Sequence, residues 1–189
     1  MLDNLRSMGF FTYGRVIPGL TLHGQPAPYP VLNERAIRAG AGMVFVLGLF
    51  AFFQAFFLGH FEYIRILVPF LFLDFLMKTV IGIRFSPVSA LAQLIVRGQT
   101  PEYVGAIQKR FAWSIGLVLS GTMLILIYGL GIQGWPNLTI CAVCLTFMFM
   151  ESAFGICVGC KIYALLLRLG LIAKPQYRPA CAGNVCALE

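Results

Sequence analysis

Four long apolar stretches follow residues 1–32 of this chain. They cover about 39–58, 64–83, 111–132 and 138–160, and helical spacing continues the last one to about 169. Each stretch has about the 20 residues that an α-helix needs to span the hydrocarbon core of a bilayer. The pattern therefore predicts an all-α fold, a four-helix transmembrane bundle.

Between the second and third stretches, the pattern predicts a further short helix. Ser86 is a typical N-cap residue, and Pro87 suits the first helical turn. Apolar residues then recur at helical spacing from Val88 to Ile95, which predicts a helix over 87–97 that lies on the membrane surface. The bundle thus gains a short interfacial helix between helices 2 and 3.

Cap-like residues also predict where two of the long helices begin. Asn33 followed by Glu34 places a capping side chain and an acid at the start of the first helix. The Thr-Pro-Glu sequence at 100–102 predicts the start of the third helix in the same way.

The composition is that of a membrane protein. Of 189 residues, 59% are hydrophobic and 11% are charged, and the mean hydropathy is +0.85, far more apolar than an ordinary soluble domain. The predicted divisions are a mixed Pro/Gly-containing tail at 1–32, a transmembrane domain at 33–170 and a cysteine-containing tail at 171–189. The first 30 residues lack the pattern of a cleavable signal peptide, so the first spanning helix is expected to direct insertion.

The net charge of +7 arises from Lys and Arg residues that lie beside the apolar stretches. They precede helix 1, occupy the link between helices 2 and 3, and follow helix 4, whereas the two short turns carry few of them. This distribution predicts an integral protein of the bacterial inner membrane, with both termini and the middle link in the cytoplasm. It also argues against a nucleic-acid partner and makes the lipid bilayer the predicted one.

All six cysteines lie between Cys141 and Cys186, in three close pairs. Thiols at this spacing can exchange disulfides, carry sulfur or bind a soft metal. Cys157 and Cys160 are three residues apart in the predicted fourth helix, so both thiols are expected on one face. The neighbouring Lys161 and the basic membrane boundary would favour a thiolate there.

Helix packing is the competing explanation for this pair. Free cysteine is often buried as a small hydrophobic residue. Gly155 and Gly159 form a Gly-x-x-x-Gly pair around Cys157, which suits close helix contact without any chemistry. Two cysteines within one regular helical turn must also meet the distance and direction requirements of a disulfide.

A second dithiol is predicted in the C-terminal tail. Cys181 and Cys186 flank a Gly-Asn turn signal that would bring their sulfurs together. We expect at least one tail sulfur within about 10 Å of Cys157 or Cys160 in the active arrangement. Two alternatives stay open, namely a four-thiolate zinc or iron–sulfur site and a tail whose cysteines are close only in sequence.

Two acids and the remaining cysteine pair lie inside the predicted spans. Glu151 is expected near mid-membrane and on the same side of the helix as Cys144, which suits a proton acceptor beside a thiol or a quinone. A structural hydrogen bond between helices is the alternative. Asp74 precedes Lys78 by four residues, which predicts an intrahelical ion pair. Cys141 and Cys144 suit either oxidation near the outer face or packing.

Several segments of the chain together resemble a known family. They are Asn33-Glu34 with Arg38, Asp74, Arg84-Phe-Ser-Pro87, Gln108-Lys-Arg-Phe-Ala112, and Glu151 followed by Gly155-Ile-Cys-Val-Gly-Cys-Lys-Ile-Tyr163. In this combination the chain resembles the bacterial membrane family catalogued as domain of unknown function 4395, over about 33–167. The resemblance implies a four-helix integral membrane domain and supplies no established reaction.

The leading hypothesis is membrane-bound thiol chemistry, either disulfide exchange or sulfur and persulfide relay. Its catalytic candidates are Cys157, Cys160, Cys181, Cys186 and Glu151. No metal or cofactor is assigned, and the candidate partners are a thiol or persulfide carrier protein and a larger membrane complex. Two alternatives remain, a non-catalytic packing subunit of such a complex and a metal-binding or transport module built on the cysteines and the intramembrane acids.

Overall fold

The computed structural model describes residues 14–22 and 24–172. Within these ranges the chain is mostly helical, with six α-helices. Their bounds are α1 (Glu34–Leu58), α2 (Glu62–Leu76), α3 (Pro87–Ile95), α4 (Ala106–Leu124), α5 (Trp135–Phe154) and α6 (Val158–Arg168). One π-helical turn extends α2 over Met77–Ile81, another extends α4 over Ile125–Gly129, and a 3₁₀ turn at Ile83–Phe85 precedes α3.

Three of these helices, α1, α4 with its π-helical extension, and α5, are long and apolar enough to cross a membrane. Large apolar side chains also point away from the protein interior. Ile66 is 75% exposed, Phe57 67% and Val118 67%. Such an apolar outer surface is expected where helices face lipid rather than water.

Short strands accompany the helices, which the all-α prediction missed. β1 (Thr21–Leu22) pairs with β2 (Gln25–Pro26), and β3 (Val31–Asn33) pairs antiparallel with β4 (Tyr103–Gly105). The β3–β4 pair joins the entrance of α1 to the entrance of α4. The prediction that the third long helix starts at 100–102 is therefore wrong, because the backbone groups of 103–105 are used in strand pairing before α4 begins.

The two predicted side-chain caps are present. Asn33 accepts a hydrogen bond from the backbone N–H of Arg35 at 3.2 Å, at the start of α1. Ser86 accepts one from the backbone N–H of Ser89 at 3.0 Å, at the start of α3. These bonds satisfy N–H groups that have no partner within the helix.

Helices α1, α2, α4 and α5 contribute to a common apolar core. Ala51, Ile64, Met123 and Leu138 lie together there, one from each helix, and all four are nearly inaccessible to solvent. Around this core α1 packs against α5 and α3, while α4 packs against α2 and α6. The entrances of α1 and α4 and the end of α5 are thereby brought together at one end of the molecule.

The sequence pattern predicted a fourth long helix that spans to 160 and continues to about 169. This prediction is wrong, because the helix is interrupted. It ends at Phe154, and Gly155 adopts a left-handed conformation with φ of 66°. Arg38 of α1 donates to the carbonyl oxygens of Ser152 and Ala153, both at 3.3 Å. The guanidinium satisfies carbonyls that the helix end leaves open, so the chain can turn here and start α6.

Candidate functional site

The break between α5 and α6 places one cysteine pair at the beginning of a helix. Cys157 is the N-cap of α6, and its sulfur accepts a hydrogen bond from the backbone N–H of Cys160 at 3.3 Å. The Sγ of Cys160 also donates to the Sγ of Cys157, and the two sulfurs are 2.6 Å apart. This Cys-x-x-Cys pair is thus in direct contact at a helix N-terminus, where backbone N–H groups favour a thiolate.

Close contact between α6 and α4 fixes the position of this pair. A Cβ atom on Gly159 would lie 2.5 Å from the Cβ of Ala112 and 2.7 Å from its Cα. Only glycine fits at this distance. The two glycines that the sequence suggested as one packing motif therefore have different roles, since Gly155 caps α5 and Gly159 holds α6 against α4.

A buried cluster of three charged residues lies beside the cysteines. Lys109, in the first turn of α4, contacts Glu34 at the start of α1 with Nζ–Oε distances of 2.8 and 3.1 Å. It also forms an ion pair with Glu151 near the end of α5. Lys109 is 4% exposed and Glu34 is 1% exposed. One ammonium thus joins three helices.

The charge cluster acts on the thiol of Cys157. The hydrogen bond with Cys160 and then burial raise the pKa of Cys157, whereas the positive charge of Lys109 lowers it. The negative charge of Glu151 adds to the increase in this pKa. The net effect is a raised pKa of Cys157, which favours the neutral thiol, and Lys109 is the neighbouring charge that opposes this effect.

Sequence reasoning found the cysteine pair but assigned its charged neighbour wrongly. Lys161 was expected to favour the thiolate, yet it is exposed on α6, while the buried Lys109 supplies the positive charge that acts on Cys157. Glu34 was interpreted only as a first-turn acid. A lysine at the start of an otherwise apolar spanning helix was the available signal, because such a charge needs a buried partner.

The other sequence candidates lie in different places. Glu151 belongs to the last turn of α5, three residues before its end, rather than to mid-membrane. Cys141 and Cys144 lie earlier on α5, and Cys144 is ten residues, about 15 Å of helical rise, before the end of that helix. Cys181 and Cys186 lie outside the described residues, as does the expected proximity of the tail to α6.

The predicted ion pair within the second helix is present and has further partners. Asp74 Oδ2 lies 2.6 Å from Lys78 Nζ. Asp74 Oδ1 accepts hydrogen bonds from the hydroxyl of Ser86 at 2.6 Å and from the backbone N–H of Val88 at 3.3 Å. This buried group ties α2 to the start of α3, and its role is explained by that connection.

An elongated cavity of about 180 Å³ runs between α1, α2, α4 and α5. Most of its lining is apolar. Cys157, Lys109 and Glu151 line one end, and Cys141 and Cys144 line it further along α5. Of the cysteine pair at the start of α6, Cys157 therefore borders a cavity between the helices, whereas Cys160 is buried behind it.

Within the described ranges no group of three or more His, Cys, Asp or Glu side chains could hold a metal ion. The four-thiolate site considered from the sequence needs Cys181 and Cys186, which these ranges do not include. The described part of the site offers two sulfurs, one ammonium and two carboxylates, a set suited to thiol and proton chemistry.

No curated protein and no solved structure matches this chain. A family model described as a domain of unknown function, DUF4395, matches residues 32–168. The matched range includes β4, all six helices, the Cys157–Cys160 pair and all three members of the Lys109 cluster. By this match, which covers most of its length, the chain belongs to the DUF4395 family.

Proposed function

We propose that this protein carries out membrane-bound thiol chemistry, disulfide exchange or sulfur and persulfide relay, through Cys157 and Cys160. One observation carries the proposal. The sulfur of Cys157 caps a helix and receives hydrogen bonds from both the backbone and the thiol of Cys160. A buried pair kept only for packing has no need of a helix N-terminus or of a neighbouring lysine.

The two cysteines have distinct roles in disulfide exchange. Cys157 is the more accessible and lines the cavity, so its thiolate attacks one sulfur of a partner disulfide and releases the other as a thiolate, which takes up a proton. The buried Cys160 then attacks the sulfur of Cys157 and releases the second partner thiol. The partner disulfide is reduced to a dithiol, and Cys157 and Cys160 are oxidised to a disulfide.

The same thiolate suits sulfur transfer. Cys157 attacks the outer sulfur of a persulfide, the donor thiolate leaves, and the transferred sulfur stays on Cys157 as a persulfide. In this relay Cys181 and Cys186 are a second acceptor pair. The proposed partner is a thiol or persulfide carrier protein. The alternative partner is a larger membrane complex.

The charge cluster supports both reactions. Lys109 stabilises negative charge on the sulfur of Cys157. The cluster contains two carboxyl groups and one ammonium, so a carboxyl oxygen is close by to accept a proton released by a thiol. Glu151 is thus proposed as a proton acceptor and Lys109 as the group that favours the thiolate.

For the membrane, we propose a four-helix transmembrane bundle of α1, α2, α4 and α5 with α3 at the interface. The shared core of these four helices supports the bundle. The apolar side chains of Leu91, Leu94 and Ile95 on α3 are more than half exposed, which suits contact with lipid. With Lys and Arg at both ends and in the middle link, both termini belong in the cytoplasm of a bacterial inner membrane.

Trapping of a mixed disulfide tests the thiol proposal. The purified protein is reduced and mixed with a small aromatic disulfide, and the released thiol and the bound adduct are measured. With Cys181 and Cys186 replaced by Ser, Cys160→Ser is expected to accumulate the adduct on Cys157, whereas in Cys157→Ser the buried Cys160 carries none. Cys144→Ser on α5 is the matched control and retains full exchange.

Unchanged exchange in both Cys157→Ser and Cys160→Ser would contradict the proposal and favour a packing subunit. Elemental analysis of the purified protein separates the metal-binding alternative, because a four-thiolate site would retain zinc or iron in stoichiometric amount.

A further inference from the structure

The cavity between the helices ends at the cysteine pair, and its chemistry differs along its length. Val44, Gly48, Leu119 and Met123 are among the apolar residues that line most of it. Lys109 and Cys157 line one end. A ligand that fits here has an apolar body and, at one end, a polar group that accepts hydrogen bonds or carries negative charge.

The size of the cavity points to a ring. A buried apolar cavity of about 150 Å³ is enough to hold benzene, and this cavity measures about 180 Å³. The helices that enclose it include the three long enough to cross a membrane. Its occupant is therefore drawn from the apolar, ring-containing molecules dissolved in the bilayer.

We propose that this cavity binds a membrane quinone, which accepts electrons from the Cys157–Cys160 dithiol. The inference rests on the proposed thiol function and names its electron acceptor. A quinone combines an apolar ring with carbonyl oxygens that become negative on reduction, and Lys109 offers a positive charge at the polar end of the cavity that it lines with Cys157. An acyl chain would fill the apolar part of the cavity but would leave the lysine and the dithiol unused.

The reaction balances in atoms and electrons. Cys157 and Cys160 lose two protons and two electrons as the S–S bond forms between them. The quinone gains the same two protons and two electrons and leaves as the hydroquinone. The Lys109 cluster holds a proton between these events, because Glu151 lines the same end of the cavity.

The test uses duroquinone, whose four methyl groups block addition of thiols to the ring. The reduced full-length protein in detergent is mixed with duroquinone without oxygen. Loss of quinone absorbance and loss of free thiol are measured together. We expect one quinone reduced for each Cys157–Cys160 disulfide formed, and no reduction by Cys157→Ser.

Two matched substitutions on α1 locate the site. Val44 lines the cavity and is 7% exposed, whereas Val46, two residues along the same helix, is 64% exposed. Val44→Phe fills the cavity and is expected to slow quinone reduction by about tenfold or more. Val46→Phe adds the same side chain on the outer surface and should leave the rate unchanged. Leu119→Phe on α4 repeats the test if Val44→Phe does not fold.

Binding is measured separately from reaction. The chain has two tryptophans, of which Trp113 lines the cavity and Trp135 is 74% exposed. In a Trp135→Phe/Cys157→Ser/Cys160→Ser protein, saturable quenching of Trp113 by duroquinone is expected. If duroquinone does not quench this fluorescence, as expected for a cavity filled by lipid, the proposal is overturned.

The outcomes separate this inference from the function on which it rests. A protein that exchanges with the small aromatic disulfide but leaves duroquinone oxidised overturns the quinone proposal alone. Equal rates for Val44→Phe, Leu119→Phe and the unmodified protein also overturn it, because the cavity would then have no part in the reaction. Failure with both the disulfide and the quinone overturns the thiol function as well.

Discussion

Gly159 of α6 lies directly against Ala112 of α4, and no side chain larger than hydrogen fits between the two backbones. The contact is one residue before Cys160 and two after Cys157, so it sets where the sulfurs stand relative to the Lys109 cluster. A packing contact and a candidate reactive centre thus depend on the same short segment.

Replacing Gly159 by Ala tests this dependence. The added methyl group would lie 2.5 Å from the Ala112 Cβ, so α6 must move. We expect a loss of about 1–3 kcal/mol in stability, typical of overpacking, together with slower alkylation of Cys157. Thermal unfolding in detergent and alkylation kinetics measure the two effects.

Gly98→Ala is the control for this substitution, because no atom lies within 4 Å of the position that its Cβ would take. It should change neither quantity. If Gly159→Ala behaved in the same way, α6 would not be held by α4.

Gly155 is expected to be intolerant of a side chain for two reasons. Its φ of 66° disfavours any L-residue, and a Cβ there would lie 3.3 Å from Nη1 of Arg38. Gly131 has nearly the same φ of 65°, but open space around it. The free energy of unfolding of Gly131→Ala should therefore fall only by the backbone cost of about 1–2 kcal/mol. That of Gly155→Ala should fall further, because the added methyl group also crowds Arg38. Equal thermal stabilities of the two variants would contradict a role for Arg38 in ending α5.

The pH dependence of alkylation at Cys157 should move in opposite directions when the two charges beside it are removed. Lys109 lowers the pKa of this thiol and Glu151 raises it. Since the thiolate is the form that reacts, Lys109→Met moves the midpoint of the alkylation rate to higher pH, and Glu151→Gln moves it to lower pH. The measurement is the rate constant for iodoacetamide across pH in a protein whose other cysteines are serine.

Lys161→Met is the control for this series, since Lys161 is exposed on α6. It should shift the midpoint little. A larger shift for Lys161→Met than for Lys109→Met would mean that Lys161, as expected from the sequence, is the residue that favours the thiolate. Glu151→Gln provides an independent test if the loss of Lys109 prevents folding.

Removing the charge of Asp74 should destabilise the protein strongly. Asp74→Asn leaves Lys78 without its ion-pair partner, and the lysine is 7% exposed. Breaking a buried pair in this way costs about 3–5 kcal/mol. Asp74→Asn/Lys78→Met should recover part of the loss, since no charge is then left unpaired. Glu62→Gln, at an exposed position on the same helix, should be neutral in thermal unfolding.

The orientation is testable with single cysteines in a cysteine-free protein. Thr100→Cys lies in the link between α3 and α4, and Gln133→Cys lies in the turn between α4 and α5, both at exposed positions. In intact cells an impermeant maleimide should label only Gln133→Cys. Labelling of Thr100→Cys without lysis would reverse the proposed topology.

Local chemistry determined much of this fold. Apolar stretches long enough to span a bilayer predicted the helices, because such runs bury backbone polar groups without water. The capping roles of Asn33 and Ser86, and the pairing of Asp74 with Lys78, involve partners within a few residues and were predicted correctly. The family resemblance carried by 151–163 was likewise a property of the sequence.

The site required contacts between residues distant in sequence. The end of α5 depends on Arg38, more than a hundred residues earlier, because a guanidinium there satisfies carbonyls that would otherwise continue the helix. Lys109 joins Glu34 to Glu151 because strand pairing between β3 and β4 sets the two helix starts side by side. The sequence by itself determined that the chain carries apolar helices and a Cys-x-x-Cys pair; only the tertiary structure decided that the pair begins a helix beside a buried lysine, since packing between helices fixes both positions.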